Sequence, residues 1–197
     1  MKMRFMILQL VFIVMPALVQ AAEEAVVATV TERAEHLRKL GPVGSNITSN
    51  KQQYQILSGV RAAELQTDEQ PQQALTRMGG DKMIETKGTF ILFSAQQSAA
   101  SVTSVNGTSY PAAYNTRTGG IGIVPGTLNV KLKNMSTANA VAAAYNLEVV
   151  RVFAHLQTAF YRVKTGQDVV SAAASLSADA RVESAEVEVI EHLNVPH

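Results

Sequence analysis

The chain has 197 residues, with 17 Lys and Arg against 16 Asp and Glu and a formal net charge of +1. A length of this order allows one ordinary domain or two small ones, and the balanced charge lacks the basic footprint that nucleic-acid binding needs. There is no cysteine, which excludes disulfides and thiol chemistry and suits an oxidising compartment.

Residues 1–21 read as a secretory signal peptide. Lys2 and Arg4 form a short basic start, Phe5 to Val19 is an apolar run broken only by Gln9, and Val19-Gln20-Ala21 offers small residues at the first and third positions. Such a run is short for a membrane-spanning helix; an uncleaved anchor is the alternative. Without Lys2 and Arg4, 15 basic residues face 16 acidic ones, a net charge of about −1. The expected destination is the periplasm or the exterior of a bacterial cell, with no membrane contact after cleavage.

Residues 22–87 read as a helical N-terminal extension. Val26, Val30, Leu37 and Leu40 keep a helical spacing over residues 25–40, with Gly41 as a left-handed stop. Ile56, Leu57 and Val60 suggest a second helix over residues 54–65. Pro71 opens a short third helix that Gly79-Gly80 would end. Residues 88–125 read as a β-rich region or linker. Thr89 to Ser94 is strand-like, Asn106-Gly107 is a hairpin signal, and Gly119-Gly120-Ile121-Gly122 is a turn rather than a phosphate loop.

Residues 126–190 carry the plainest pattern. Leu128, Val130 and Leu132 alternate with Asn129 and Lys131, as a half-buried strand requires. A helix follows, with Ser136 as candidate N-cap and Asn146 as C-terminal cap. Leu147–Phe153 and Thr158–Val163 read as strands, Asp168–Leu176 as a helix, and Val182–Ile190 as a last strand. The order β-α-β-β-α-β predicts a ferredoxin-like α+β domain: a four-stranded antiparallel sheet with both helices on one face and the other face bare. A helical segment and a β-hairpin region would precede it, and residues 191–197 would form a C-terminal tail.

Glu186 and Glu188 lie two apart on the last strand, so both project from one face, opposite Ala185, Val187 and Val189. Paired carboxylates can cap helix N-termini, whose unpaired N–H groups and positive dipole end attract anions. They could equally be a solvated strand face.

Residues 127–190 resemble the propeptide of subtilisin-family serine proteases, an inhibitor I9-like domain. The matching pieces are VKLKNMSTANA (Val130–Ala140), NLEVV (Asn146–Val150) and ARVESAEVEV (Ala180–Val189). The resemblance implies that the bare sheet face packs on two protease helices, with Glu186 and Glu188 capping them. It also implies that the tail His192, Leu193, Asn194, Val195, Pro196 and His197 lies in the substrate cleft, its carboxylate near the catalytic serine; a frayed terminus is the alternative. Family propeptides precede a catalytic domain, whereas this sequence ends after the tail and carries an added segment in front. It is therefore similar to the stand-alone external chaperones of kexin-like secreted proteases. The expected function is a secreted intermolecular chaperone and inhibitor of a subtilisin/kexin-like serine protease.

The other reading is a non-enzymatic envelope or surface protein that uses the ferredoxin-like domain as a packing module. An enzyme is not expected, because GxSxG is absent and Asp68, Asp81, Asp168 and Asp179 fit no catalytic pattern. No cofactor is expected either, since His36, His155, His192 and His197 match no common metal spacing.

Overall fold

The computed structural model describes residues 29–37, 39, 43–95 and 109–191. Helix α1 covers residues 29–37, and strand β1 (Val43–Ser49) follows. Strand β2 (Gln52–Glu64) is the spine of the N-terminal sheet. Strand β5 (Tyr110–Asn115) pairs along one edge of it; β1 and β4 (Phe90–Ser94) share the other edge. Strands β3 (Lys82–Lys87) and β6 (Ile121–Ile123) flank this set, and every pair is antiparallel.

Residues 54–65, expected as a helix, are therefore strand up to Glu64. Their spacing misleads because β2 is covered on both faces, so its buried residues run unbroken from Ile56 to Val60 instead of alternating. Leu57, Val60 and Ala62 face the core that contains Leu37 of α1, whereas Tyr54 and Ile56 join a core shared with the C-terminal half. A register break between Leu57 and Arg61 against β5 disturbs the period further. The expected helical extension over 22–87 and separate β-rich region over 88–125 are corrected likewise: β3 and β4 pair across the 87/88 division, and β2 lies between β4 and β5. The hairpin signal at Asn106-Gly107 and the stop at Gly41 lie outside the described residues.

Two helical expectations have described counterparts. The described part of the first helix is α1. Helix α2 (Pro71–Arg77) begins on its proline, and Gln70 and Gln73 form a reciprocal capping box. Ala74 and Leu75 of α2 pack with Ala63, Ile91 and Phe93.

The second sheet has the order β10-β7-β9-β8 and is antiparallel throughout. Its strands are β7 (Thr127–Leu132), β8 (Glu148–Phe153), β9 (Thr158–Arg162) and β10 (Val182–Val187). Helix α3 (Ala138–Ala144) connects β7 to β8, and α4 (Val169–Ser177) connects β9 to β10. Both bury their small apolar stripe in one core with Leu128, Val130, Leu132, Ala159 and Tyr161. Asp168 caps α4, its Oδ1 accepting from the Ser171 amide at 2.7 Å. Asn146 holds a left-handed φ of 55° just after α3. Ser136 is not the cap it was expected to be: Asn134 accepts from the Ser136 amide at 3.0 Å and opens a short 3-10 turn (Met135–Thr137) ahead of α3. Among the described residues no helix is long and apolar enough to cross a membrane.

Candidate functional site

Among the described residues, no helix covers the face of the second sheet opposite α3 and α4. Side chains alternate along each strand, so the residues facing away from the core can be followed across the sheet. Glu186 stands opposite Asn129, Asn129 opposite Phe160, and Phe160 opposite Arg151. In the next row Ser184 faces Lys131, Lys131 faces Thr158, and Thr158 faces Phe153. The Phe153 and Phe160 rings meet edge to face, centroids 5.8 Å apart, and the Arg151 guanidinium carbon lies 5.6 Å from the Phe153 centroid. This face carries a half-exposed aromatic pair, with Arg151 on β8 beside it and Glu186 on β10 at the opposite margin.

Glu186 and Glu188 line one shallow depression with Ser49, Asn50, Asn129 and Phe160. The structure thus brings the two predicted carboxylates together, about 7 Å apart by strand geometry. Glu186 Oε2 accepts from the Asn50 backbone N–H at 3.1 Å. The Glu188 amide continues the β10–β7 ladder, donating to the Thr127 carbonyl at 2.9 Å. Among the described residues neither carboxylate is ion-paired. An ionised carboxylate has about four acceptor positions, so the Asn50 bond leaves both groups able to accept from a partner.

Ser49 and Asn50, at the tip of the β1–β2 hairpin, form one end of the depression. Asn50 and Lys51 have φ of 49° and 63°, the double positive φ of a tight two-residue hairpin turn. The Ser49 hydroxyl, at the same tip, accepts from the Val189 amide at 3.2 Å.

Sequence reasoning missed Glu191. Its Oε2 accepts from the Tyr54 hydroxyl at 3.1 Å and from Asn115 Nδ2 at 2.8 Å; its Oε1 accepts from the Thr118 hydroxyl at 2.7 Å. Asn115 is fully buried, and its Oδ1 accepts from the amides of Arg117 and Thr118. Burial first, then the hydrogen bond to Glu191 and its charge, push the Tyr54 phenol above its ordinary pKa of 10.0. The only hint in the sequence was Gly119-Gly120-Ile121-Gly122, read as a turn. Gly120 and Gly122 in fact make room for the C-terminal segment: a Cβ would stand 2.1 Å from Glu191 Oε1 at Gly120 and 2.2 Å from Val189 Cγ1 at Gly122.

The tail, His192 to His197, lies outside the described residues. His36 is exposed on α1, and His155 sits in the turn after β8, edge-on to Phe153 at 6.3 Å. Among the described residues no three His, Asp or Glu side chains converge as metal ligands would.

No curated protein matches the chain. It is similar to one chain of the crystal structure of the Aeromonas sobria serine protease (ASP) and chaperone (ORF2) complex. That match has 20% identity and a TM-score of 0.39, covering 59% of this chain and 100% of the other, too low a likeness to argue from. A family model described as the open reading frame 2 N-terminal domain matches residues 20–196. The chain belongs to this family of open reading frame 2 N-terminal domains.

Proposed function

We propose that the chain is a secreted intermolecular chaperone and inhibitor of a subtilisin/kexin-like serine protease. The observation that carries the reading is the uncovered sheet face with Glu186 and Glu188 side by side at its margin. The strand order β10-β7-β9-β8, with both helices against one face, supports a ferredoxin-like, propeptide-like unit. The family's designation, open reading frame 2, is also that of the chaperone in the solved protease complex. Export rests on the signal-peptide pattern of residues 1–21, a basic start followed by an apolar run.

In this reading the Phe153–Phe160 pair and its flanking basic residues pack on two helices of the protease, and the two glutamates cap the N-termini of those helices. Each capped helix end gains charge-assisted bonds for N–H groups that otherwise lack partners. The Asn50 N–H holds Glu186 in place beforehand, so less side-chain freedom is lost on docking. The tail, His192 to His197, enters the substrate cleft. Protease domains rich in long-range strand pairing fold slowly, and a surface complementary to two correctly placed helices favours the native arrangement. Binding of the native state also adds stability by mass action. Chaperoning and inhibition then share one interface.

The test is refolding of a denatured kexin-like subtilase with and without the chain. Recovered peptidase activity should rise with added chain up to equimolar amounts, and Glu186→Ala with Glu188→Ala should abolish most of that gain. Equal recovery with the double variant would remove the helix-capping mechanism.

A further inference from the structure

Beyond Glu188, whose amide still bonds to β7, the chain from Val189 to Glu191 is held by the N-terminal sheet. The Val189 amide donates to the Ser49 hydroxyl at 3.2 Å. Ile190 and Ile123 exchange both backbone hydrogen bonds at 2.9 Å, which adds residue 190 to the free side of β6. Glu191 then receives three donors from three places: Tyr54 on β2, Asn115 at the end of β5, and Thr118 in the β5–β6 turn. Beneath this run Gly120 and Gly122 leave the space that Glu191 and Val189 fill. Apolar packing of Val189 would suffice to hold the segment down. Three convergent donors on one carboxylate do more, because they fix where the chain stands and which way it points at residue 191.

We propose that the N-terminal sheet is a brace for the segment after β10, with Glu191 as its pin, and that it sets the position and direction in which the chain departs toward residues 192–197. This inference rests on the reading in which those residues occupy a protease cleft. A tail launched from a fixed point beside the docking face meets its cleft as an intramolecular second contact, at high effective concentration and with little ordering cost. Glu191, Tyr54, Asn115 and Thr118 are positioning residues in this account, and the N-terminal sheet acquires a purpose separate from the docking face.

The experiment uses the full chain, with Glu191→Ala and Gly120→Ala as two independent ways of drawing the pin and Glu32→Gln, on exposed α1, as a charge-loss control. Each is made in the native background and in one with residues 192–197 replaced by a Gly-Ser hexamer. Inhibition of a kexin-like subtilase is read on a fluorogenic dibasic peptide, affinity for that protease by titration, and the Ile190 amide by hydrogen exchange in the free chain. Either pin variant should raise the inhibition constant at least tenfold with the native tail, change affinity less than threefold with the Gly-Ser tail, and speed Ile190 exchange at least tenfold. Equal loss of affinity in both backgrounds would reduce the pin to a folding contact and overturn the inference, as would faster exchange with unchanged inhibition. Should the unaltered chain neither bind nor inhibit, the proposed function falls by itself. Exchange alone then judges the brace, and an unchanged Ile190 rate in both pin variants overturns it.

Discussion

The backbone N–H of Asn50 donates to the carboxylate of Glu186 across 136 positions of sequence, at 3.1 Å. The bond places the tip of an N-terminal hairpin against the margin of the C-terminal sheet, beside the two glutamates assigned to partner binding. It orients Glu186 while leaving Oε1 without a partner among the described residues. The proposed docking surface is thus built jointly by two parts of the chain that look unrelated in sequence.

Replacing both Glu186 and Glu188 with alanine should weaken the protease complex by about threefold to several hundredfold. Each helix-end contact is worth roughly 0.3–2 kcal/mol, and about 1.4 kcal/mol is a factor of ten in affinity. The fold should tolerate the change, because both groups stand at the surface and, among the described residues, only Glu186 makes a side-chain bond. Calorimetric titration beside a thermal melt separates the two effects; a collapse of the melt would assign these residues to stability instead.

Lys51→Gly should stabilise the chain slightly. Lys51 sits at a φ of 63°, where an L side chain costs roughly 1–2 kcal/mol and glycine nothing, and the change creates the favoured Asn-Gly turn. The greater freedom of glycine in the unfolded chain takes back about half of that. The midpoint of urea unfolding should rise while its slope stays constant. A fall in the midpoint would mean that the Lys51 side chain supports the hairpin.

Leu176→Ala should cost about 2–5 kcal/mol. Leu176 is fully buried on α4, in the core formed with β7, β9 and β10. For a chain of this length the melting temperature should drop by roughly 5–15 °C. A drop under two degrees would show that α4 does not seal this core.

Alkaline pH should loosen the Glu191 clamp. The folded-state pKa of Tyr54 is raised above 10.0, because its phenolate would be buried beside a carboxylate. A raised pKa means that the folded state holds the proton more tightly, so the contribution is fully present below pH 10 and is lost as pH rises through the folded-state value. Burial of Tyr161, whose hydroxyl donates to the Ala138 carbonyl at 2.9 Å, pushes its pKa up to about 12 and adds stability with the same sign. Tyr54→Phe should flatten the fall in stability above pH 10. An unchanged slope would leave Tyr54 out of that transition.

The C-terminal unit was legible because, among the described residues, helices cover its sheet on one face only. Leu128, Val130 and Leu132 point inward and Asn129 and Lys131 outward, so the period of two survives in the sequence. The neighbourhood of Glu186 and Glu188 followed from that same alternation. Strand β2 was not legible, because α1 covers one of its faces and the segment after β10 part of the other, which erases the alternation and leaves a spacing that mimics a helix. Glu191 was invisible for a different reason. Its partners lie 73, 76 and 137 positions away, at Thr118, Asn115 and Tyr54, and no local pattern in a sequence encodes such a meeting. The two glycines that admit the segment read locally as a turn, and only the chain laid over them explains their lack of side chains.

The central claim is tested most directly by titrating the chain, without residues 1–21, into a kexin-like subtilase while following hydrolysis of a dibasic peptide, with a version lacking residues 192–197 in parallel. The account predicts stoichiometric inhibition that is lost or much weakened when those residues are absent, with binding retained. Hydrolysis unaffected by either version, including that by the subtilase encoded nearest to this chain, would contradict it.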